Sequence, residues 1–337
     1  MTNDWISGIL GGAPPEEGES VTRHGRVLVG RDGLTRDLDV SDAGQKQTGE
    51  TFAFKWAQRD TYASPALRDA QIAWQDSRYG ARSLLDHLGV RADVPPIVLD
   101  AGAGSGFSAS LLFRNDFDRI RYVGADVSNA IDIARTEIGA KARDSFFLQG
   151  DLMRLPFAVG AFDIVLSEGV MHHTPSTRDA LLALAKLIRQ GGIFAFYVYA
   201  KKAPIREFTD DFVRAQLSGL APADAWKALE PLTRLGIALG ELKKEIDVPE
   251  DIPLLGIKKG PIDIQRLFYW AICKAYYRPD FTFDEMNHIN FDWFAPTYSH
   301  RQTPDEVSRW CQEAGLVVEH MKVEEAGITA VARRPLA

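Results

Sequence analysis

The sequence predicts an α/β chain built on a doubly wound, mostly parallel sheet of seven strands, with a helical insertion after the fifth strand. Three observations carry this. Between Pro96 and Tyr199 short apolar runs alternate with helical patterns, the rhythm of parallel strands joined by crossover helices. The rhythm stops over 201–302 and resumes at Thr303. The chain has 337 residues, 45% of them hydrophobic, enough to bury the core of one large domain with an insertion.

The elements follow in order. Residues 1–50 are rich in Gly, Asp, Glu and Arg and hold one strand-like run at 26–30 (RVLVG); they read as a loosely structured lead-in. Residues 51–95 turn helical in period and aromatic, with Trp56, Tyr62, Trp74 and Tyr79, and predict a helical cap over one end of the core. A buried strand at 97–100 ends in Asp100, and glycines 102, 104 and 106 form a turn into a helix beginning at 107–114. A second strand at 120–126 ends in Asp126, with Ser128 placed to cap a helix over 129–142. A third at 145–148 leads to Gly150 and Asp151, and a fourth at 162–167 runs into MHHTP. The helix predicted at 178–189 is stopped by Gly191 and Gly192, and 193–199 is the fifth strand. Helical patterns at 203–218, 222–246 and 261–277 and an aromatic tail ending at Arg301 make up the insertion. A helix from Thr303 to Ala314, opened by Pro304, and strands at 317–323 and 328–332 close the core.

Charge and cysteine content narrow the function. A net charge of −7 speaks against duplex nucleic acid or an anionic membrane as partner, since both need a basic face. Cys273 and Cys311 stand far apart without metal-ligand spacing, so neither a metal site nor a disulfide framework is expected. The N-terminus lacks the charged-then-apolar pattern of a signal peptide, and no run reaches membrane-spanning length. A cytoplasmic protein is expected.

The turn VLDAGAGSGFSA is spaced GxGxG, with Phe107 where a dinucleotide site has its third glycine. Such a turn lets a ligand lie against bare backbone, although a purely structural turn has the same composition. Asp100, Asp126 and Asp151 end three adjacent strands and so share the carboxyl edge, where open α/β sheets bind ligands. Asp126 is placed to accept ribose hydroxyls and Asp151 an exocyclic adenine amine. Phe107 would obstruct the close packing of helix on strand at a pyrophosphate site, which counts against a nicotinamide cofactor.

These motifs, VLDAGAGSG, GADVS, GDLMRLPF and FDIVLSEGVMHHTP, with QGGIFAFYVY after them, resemble the class I S-adenosylmethionine-dependent methyltransferases over 96–200 and 303–334. QTGETFAFKW and FDWFAPTYSHRQTPDEVSRW look like a bacterial group acting on small molecules or sugars. The resemblance implies S-adenosyl-L-methionine as cofactor, held by Asp100, Gly102, Gly104, Gly106, Asp126, Val127, Asp151, Leu152, Ser167 and Glu168. It implies methyl transfer to a small-molecule acceptor, O- or N-directed in the first place and S- or C-directed as alternatives. An RNA-directed enzyme and a non-catalytic scaffold are the rival readings.

For an O–H or N–H acceptor the site needs a proton acceptor. His172 and His173 follow the fourth strand and are the candidate bases; adjacent side chains diverge, so at most one is expected to face the cleft while the other packs or caps the helix that follows. Substrate choice is assigned to the insertion as a lid, with Tyr199, Asp292, Tyr298, His300 and Arg301 as substrate-binding candidates beside His288, Asn290, Trp293 and Tyr197. Phe268, Tyr269, Trp270, Tyr276 and Tyr277 suit helix packing or a homodimer interface. Lys243, Lys244, Lys258 and Lys259 read as solvated, with an anionic substrate as the alternative for the latter pair beside Gly260.

Overall fold

The computed structural model describes residues 4–37, 39, 42–89 and 94–336; parts of the expected lead-in (1–3, 38, 40–41), of the expected cap (90–93) and the last residue lie outside the described residues. Helix α1 (Asp4–Leu10) precedes strands β1 (Ser20–Arg23), β2 (Arg26–Arg31) and β3 (Leu34–Arg36), then helices α2 (Ala43–Ala57) and α3 (Pro65–Asp76). The core alternates β4 (Ile97–Ala101), α4 (Phe107–Leu112), β5 (Arg121–Asp126), α5 (Ala130–Gly139), β6 (Asp144–Gln149), β7 (Phe162–Glu168), α6 (Thr177–Ala185) and β8 (Ile188–Tyr199). The insertion contains α7 (Pro204–Leu217), α8 (Pro222–Glu241), the small pair β9 (Glu245–Val248) and β10 (Gly260–Asp263), α9 (Ile264–Ala271) and α10 (Phe283–Phe294). Helix α11 (Pro304–Glu313) and strands β11 (Val317–Val323) and β12 (Gly327–Arg333) close the fold.

Among the described residues the main sheet has ten strands in the order β1-β2-β3-β6-β5-β4-β7-β8-β12-β11. Neighbours from β3 to β8 are parallel, and β12 and β11 return antiparallel. The seven expected strands are there, extended by three from the supposed lead-in. Of those three, β2 is the strand-like run read at 26–30, whereas β1 and β3 are short and polar and carry little hydrophobic signal. Ion pairs with distant residues help hold them: Arg36 to Asp132 on α5 (2.8 Å) and Arg26 to Asp37 (2.6 Å).

Alternation sends successive side chains to opposite faces of the sheet. Leu99, Val165, Phe194 and Phe196 enter one core, and Val98, Ile164, Leu166, Ile193 and Ala195 the other. Each fully buried residue of this size contributes about 1.5–3 kcal/mol relative to exposure. Gly191 and Gly192 do not end a helix before the fifth core strand but lie within it. Ile188 pairs with Phe162 and Ile193 with Ile164, so 189–192 bulge out opposite Asp163. The first part of the aromatic tail, to Phe294, belongs to a helix, α10, opened by a capping box between Thr282 and Glu285. It buries Glu285, Met286, Asn287, His288, Asn290, Phe291, Trp293 and Phe294, so it lacks the two-faced pattern by which a helix is recognised.

Candidate active site

The strand order reverses between β4 and β7, and a crevice opens beyond their carboxyl ends. There lies a partly open cavity of about 450 Å³. Its floor is the glycine turn after β4 (Gly102, Ala103, Gly104), Asp126 from the end of β5, and Glu168–Val170 after β7; its roof comes from α2, α3, α9 and α10.

The turn is tightly covered. Gly102 and Gly104 have φ of 91° and 54°, in the left-handed region that favours glycine. A Cβ would lie 2.3 Å from Val170 at Gly102 and 2.7 Å from the Trp56 indole at Gly104. The amides of Gly102 and Ala103 donate to the Ala125 carbonyl, that of Gly104 to Asp126 Oδ2 (2.8 Å) and that of Gly106 to the Ala103 carbonyl. Four donors that would cradle a pyrophosphate are therefore committed within the chain, as Phe107 suggested. Asp126 Oδ1 also accepts from the Ser128 amide (2.8 Å) and hydroxyl (2.6 Å). A carboxylate has about four lone-pair sites, so one stays open to a ligand; binding both hydroxyls of a ribose requires release of a present bond.

The remaining residues expected at the cofactor lie around this floor. Ser167 is buried at the end of β7, its hydroxyl donating to the Ala101 carbonyl (3.1 Å). Glu168 lines the cavity and is gripped by the buried Arg78 and the Tyr79 hydroxyl. Asp100 accepts from Tyr122 (2.7 Å), and burial raises its carboxyl to about 7. Asp151 caps a short 3₁₀ turn by accepting from the Met153 amide (2.9 Å), Leu152 is in the core, and Val127 meets Gly49 of α2. Asp100, Gly106, Val127, Asp151, Leu152 and Ser167 do not line the cavity.

The two histidine rings do not diverge, their centroids lying 4.3 Å apart, but only one of them lines the cavity. His172 is wholly buried against Tyr199, with ring centroids 3.7 Å apart, and does not line the cavity. His173 does. Its Nδ1 lies 2.7 Å from the Tyr298 carbonyl, which only accepts, so Nδ1 carries the proton and Nε2 presents a lone pair. Nε2 has no hydrogen-bond partner among the described residues. Burial, against the pull of Asp292 and the Tyr298 carbonyl, lowers this imidazole to about 4, so it is neutral at pH 7.

Asp292 is the hub of the opposite wall. It accepts from Lys55 (2.5 Å) and the Tyr199 hydroxyl (2.9 Å). Burial opposes its ionisation, but Lys55, His173 and Lys274 outweigh burial and hold it well below the ordinary carboxylate range. Tyr199 and Asp292 thus meet on the cavity, whereas Tyr298, His300 and Arg301 line a separate open groove of about 560 Å³. There His300 Nε2 meets the Thr174 carbonyl (3.0 Å), and Arg301 pairs with Glu207 and Asp211. Tyr298 reaches the main site only through its carbonyl on His173. Lys258 is exposed and paired with Asp251.

Sequence reasoning did not single out Lys55, Lys274 or Arg78, and read Trp56 only as an aromatic of the cap. The pairing of Lys55 with Asp292 spans 237 positions and leaves no local mark. Among the described residues no helix is long and apolar enough to cross a membrane.

Residues 99–196 match the methyltransferase domain family. Among curated relatives, the methyltransferase GfsG of Streptomyces halstedii is 31% identical over 137 residues, covering 40% of this chain and 47% of that protein. A fatty-acid O-methyltransferase of Mycolicibacterium smegmatis is 35% identical over 100 residues, covering 29% and 35%. The chain thus spans about half the length of such relatives or less. A solved structure of a Burkholderia thailandensis 1,6-didemethyltoxoflavin-N1-methyltransferase, with its substrate and S-adenosylhomocysteine bound, superposes with a TM-score of 0.44 at 14% identity, covering 94% of this chain and 99% of that one.

Proposed function

We propose that this chain, whose residues 99–196 form a class I S-adenosylmethionine-dependent methyltransferase domain, moves a methyl group from that cofactor to an oxygen or nitrogen of a small molecule held in the cavity. One observation carries the reading: the glycine turn, Asp126 and His173, whose Nε2 has no hydrogen-bond partner among the described residues, meet at the same cavity.

The residues present fit the cofactor. Asp126 retains an acceptor site at the floor, and the turn at Gly102 and Gly104, packed under Val170 and Trp56, lacks the free amides a pyrophosphate needs. When bound, S-adenosylmethionine supplies an electrophilic methyl group on a sulfonium. The chain supplies the rest. Trp56, Tyr62 and Phe107 wall the cavity and exclude water, and the fixed roof orients the acceptor for in-line attack. His173 Nε2 takes the acceptor proton, and the ionised Asp292 stabilises the imidazolium that results. A neutral base with a set tautomer serves an O–H or N–H acceptor and has no task with a thioether.

Calorimetric titration with S-adenosylhomocysteine tests the cofactor site. The wild type is expected to bind it, and Asp126→Ala to weaken binding about 10–100-fold, the range of a hydrogen bond to a charged group. Transfer of labelled methyl groups to a library of hydroxylated and amino compounds then tests the reaction. A wild-type protein that does not bind S-adenosylhomocysteine would end the proposal.

A further inference from the structure

The cavity wall is not neutral. Lys55, Arg266, Lys274 and Arg278 line it against Asp126, Glu168 and Asp292. Most of these charges are matched: Lys55 with Asp292, Glu168 with Arg78, and Arg278 with Asp280. Asp126 is held by the glycine turn and Ser128. Lys274 and Arg266 are left over, with no carboxylate in ion-pair distance among the described residues.

Lys274 is the more telling of the two. It follows α9, is only 6% exposed, and holds its Nζ 4.7 Å from the centre of the Trp293 ring. Its backbone amide is fixed by Asp210 (3.1 Å), but its Nζ has no hydrogen-bond partner among the described residues. Burial, with Arg206 and Lys55 adding repulsion against the pull of Asp292 and Asp210, lowers the ammonium to about 7. A buried ammonium without a counter-ion is costly, and an anion placed beside it removes that cost and restores its proton. Arg266, half-buried on α9, spends one guanidinium nitrogen on the Tyr277 carbonyl (3.2 Å) and has no other side-chain bond among the described residues. An ammonium and a guanidinium lining one space with several aromatic rings form a receptor for a carboxylate or phosphate.

We propose that the methyl acceptor is an organic anion, a carboxylate or a phosphate ester, whose charged end is received by Lys274 and Arg266 while its apolar body lies among Trp56, Tyr62, Phe107 and Tyr276. This rests on the reading of the cavity as the methyl-acceptor site and adds the class of acceptor to it.

The test uses the full chain saturated with S-adenosylhomocysteine, titrated with benzoate against benzamide, cinnamate against cinnamamide, and phenyl phosphate against phenol. At least one anion is expected to bind about tenfold or more tightly than its neutral partner, and the pair showing the larger ratio distinguishes carboxylate from phosphate. Lys274→Met should remove the preference while leaving S-adenosylhomocysteine affinity and the affinity for neutral partners unchanged; Lys274→Arg should restore part of it. The inference is overturned if no anion outranks its partner, or if Lys274→Met weakens anion and neutral partner alike. Failure of S-adenosylhomocysteine to bind at the outset would instead overturn the methyltransferase reading.

Discussion

The two walls of the cavity differ in how far their polar groups are already satisfied. On the sheet-edge wall, Asp126 accepts three hydrogen bonds from its own chain and Glu168 is locked by Arg78 and Tyr79. On the wall built by the insertion and the end of the β7 loop, His173 Nε2 and both ring nitrogens of His288 are buried with no hydrogen-bond partner among the described residues. Buried polar atoms without partners are rare in folded proteins because each costs about 1–3 kcal/mol. The contrast teaches a division of labour. The sheet edge is the more fully satisfied surface, with Arg78 Nε its unpartnered atom among the described residues, and the insertion wall is the less satisfied one.

The largest test of that contrast falls on the unfinished wall. His173→Gln should lower turnover about 10²–10⁴-fold, the usual worth of a general base, with S-adenosylhomocysteine affinity unchanged. His172→Phe, which keeps a ring against Tyr199, should leave turnover near wild type. The same His173 variant has a pH signature. The imidazole is held near 4 in the folded chain and titrates near 6.5 when unfolded. The unfolded state therefore binds the extra proton first, and stability is lost as pH falls from about 6.5 to 4. This residue accounts for up to roughly 3 kcal/mol of that loss, so urea unfolding at pH 7 and pH 4.5 should show a smaller drop for His173→Gln. Equal drops would mean that the ring is not held neutral by burial.

A second substitution strikes the finished wall. Arg78 is wholly buried, its guanidinium 3.7 Å from the centre of the Trp74 ring and 4.6 Å from that of Tyr197, bonded to Thr329 (2.9 Å) and paired with Glu168. Arg78→Met leaves the Glu168 carboxylate buried without its ion-pair partner, a loss of about 3–5 kcal/mol, read as a lower urea midpoint at unchanged slope. A loss below about 1 kcal/mol would mean that the sheet-edge wall is not fixed by this pair, and the contrast between the walls would fail.

The same contrast separates what was legible in the sequence from what was not. The sheet edge is written in local signals: the GxGxG spacing, acids at strand ends, and alternation between strand and helix. Asp126 and Glu168 were placed on the cavity from such signals. The unfinished wall is assembled from contacts between distant segments. Lys55 reaches Asp292 from α2, Tyr298 reaches His173 through a carbonyl, and Lys274 is marked only by its burial. Helix α10 was hidden because it is buried on most sides and carries Asn287, His288 and Asn290 inward, so no hydrophobic stripe appears. Its start was nevertheless readable, since Thr282 and Glu285 stand three apart as a capping box does.

That cap supports the smallest prediction. The Thr282 hydroxyl accepts from the Glu285 amide (3.2 Å), and the Glu285 carboxylate accepts from the amides of Thr282 (2.8 Å) and Ser64 (3.0 Å). The box therefore joins the first turn of α10 to the start of α3, and α10 carries His288 and Asp292. Thr282→Ala removes one bond of the box and should cost about 1 kcal/mol of global stability. Its effect on ligands should be uneven. S-adenosylhomocysteine, seated on the finished wall, should bind as before, whereas an anion seated against the insertion should bind a few-fold more weakly as α10 loosens. Equal weakening of both ligands would show that the two walls move as one body, and the division of labour between them would have to be given up.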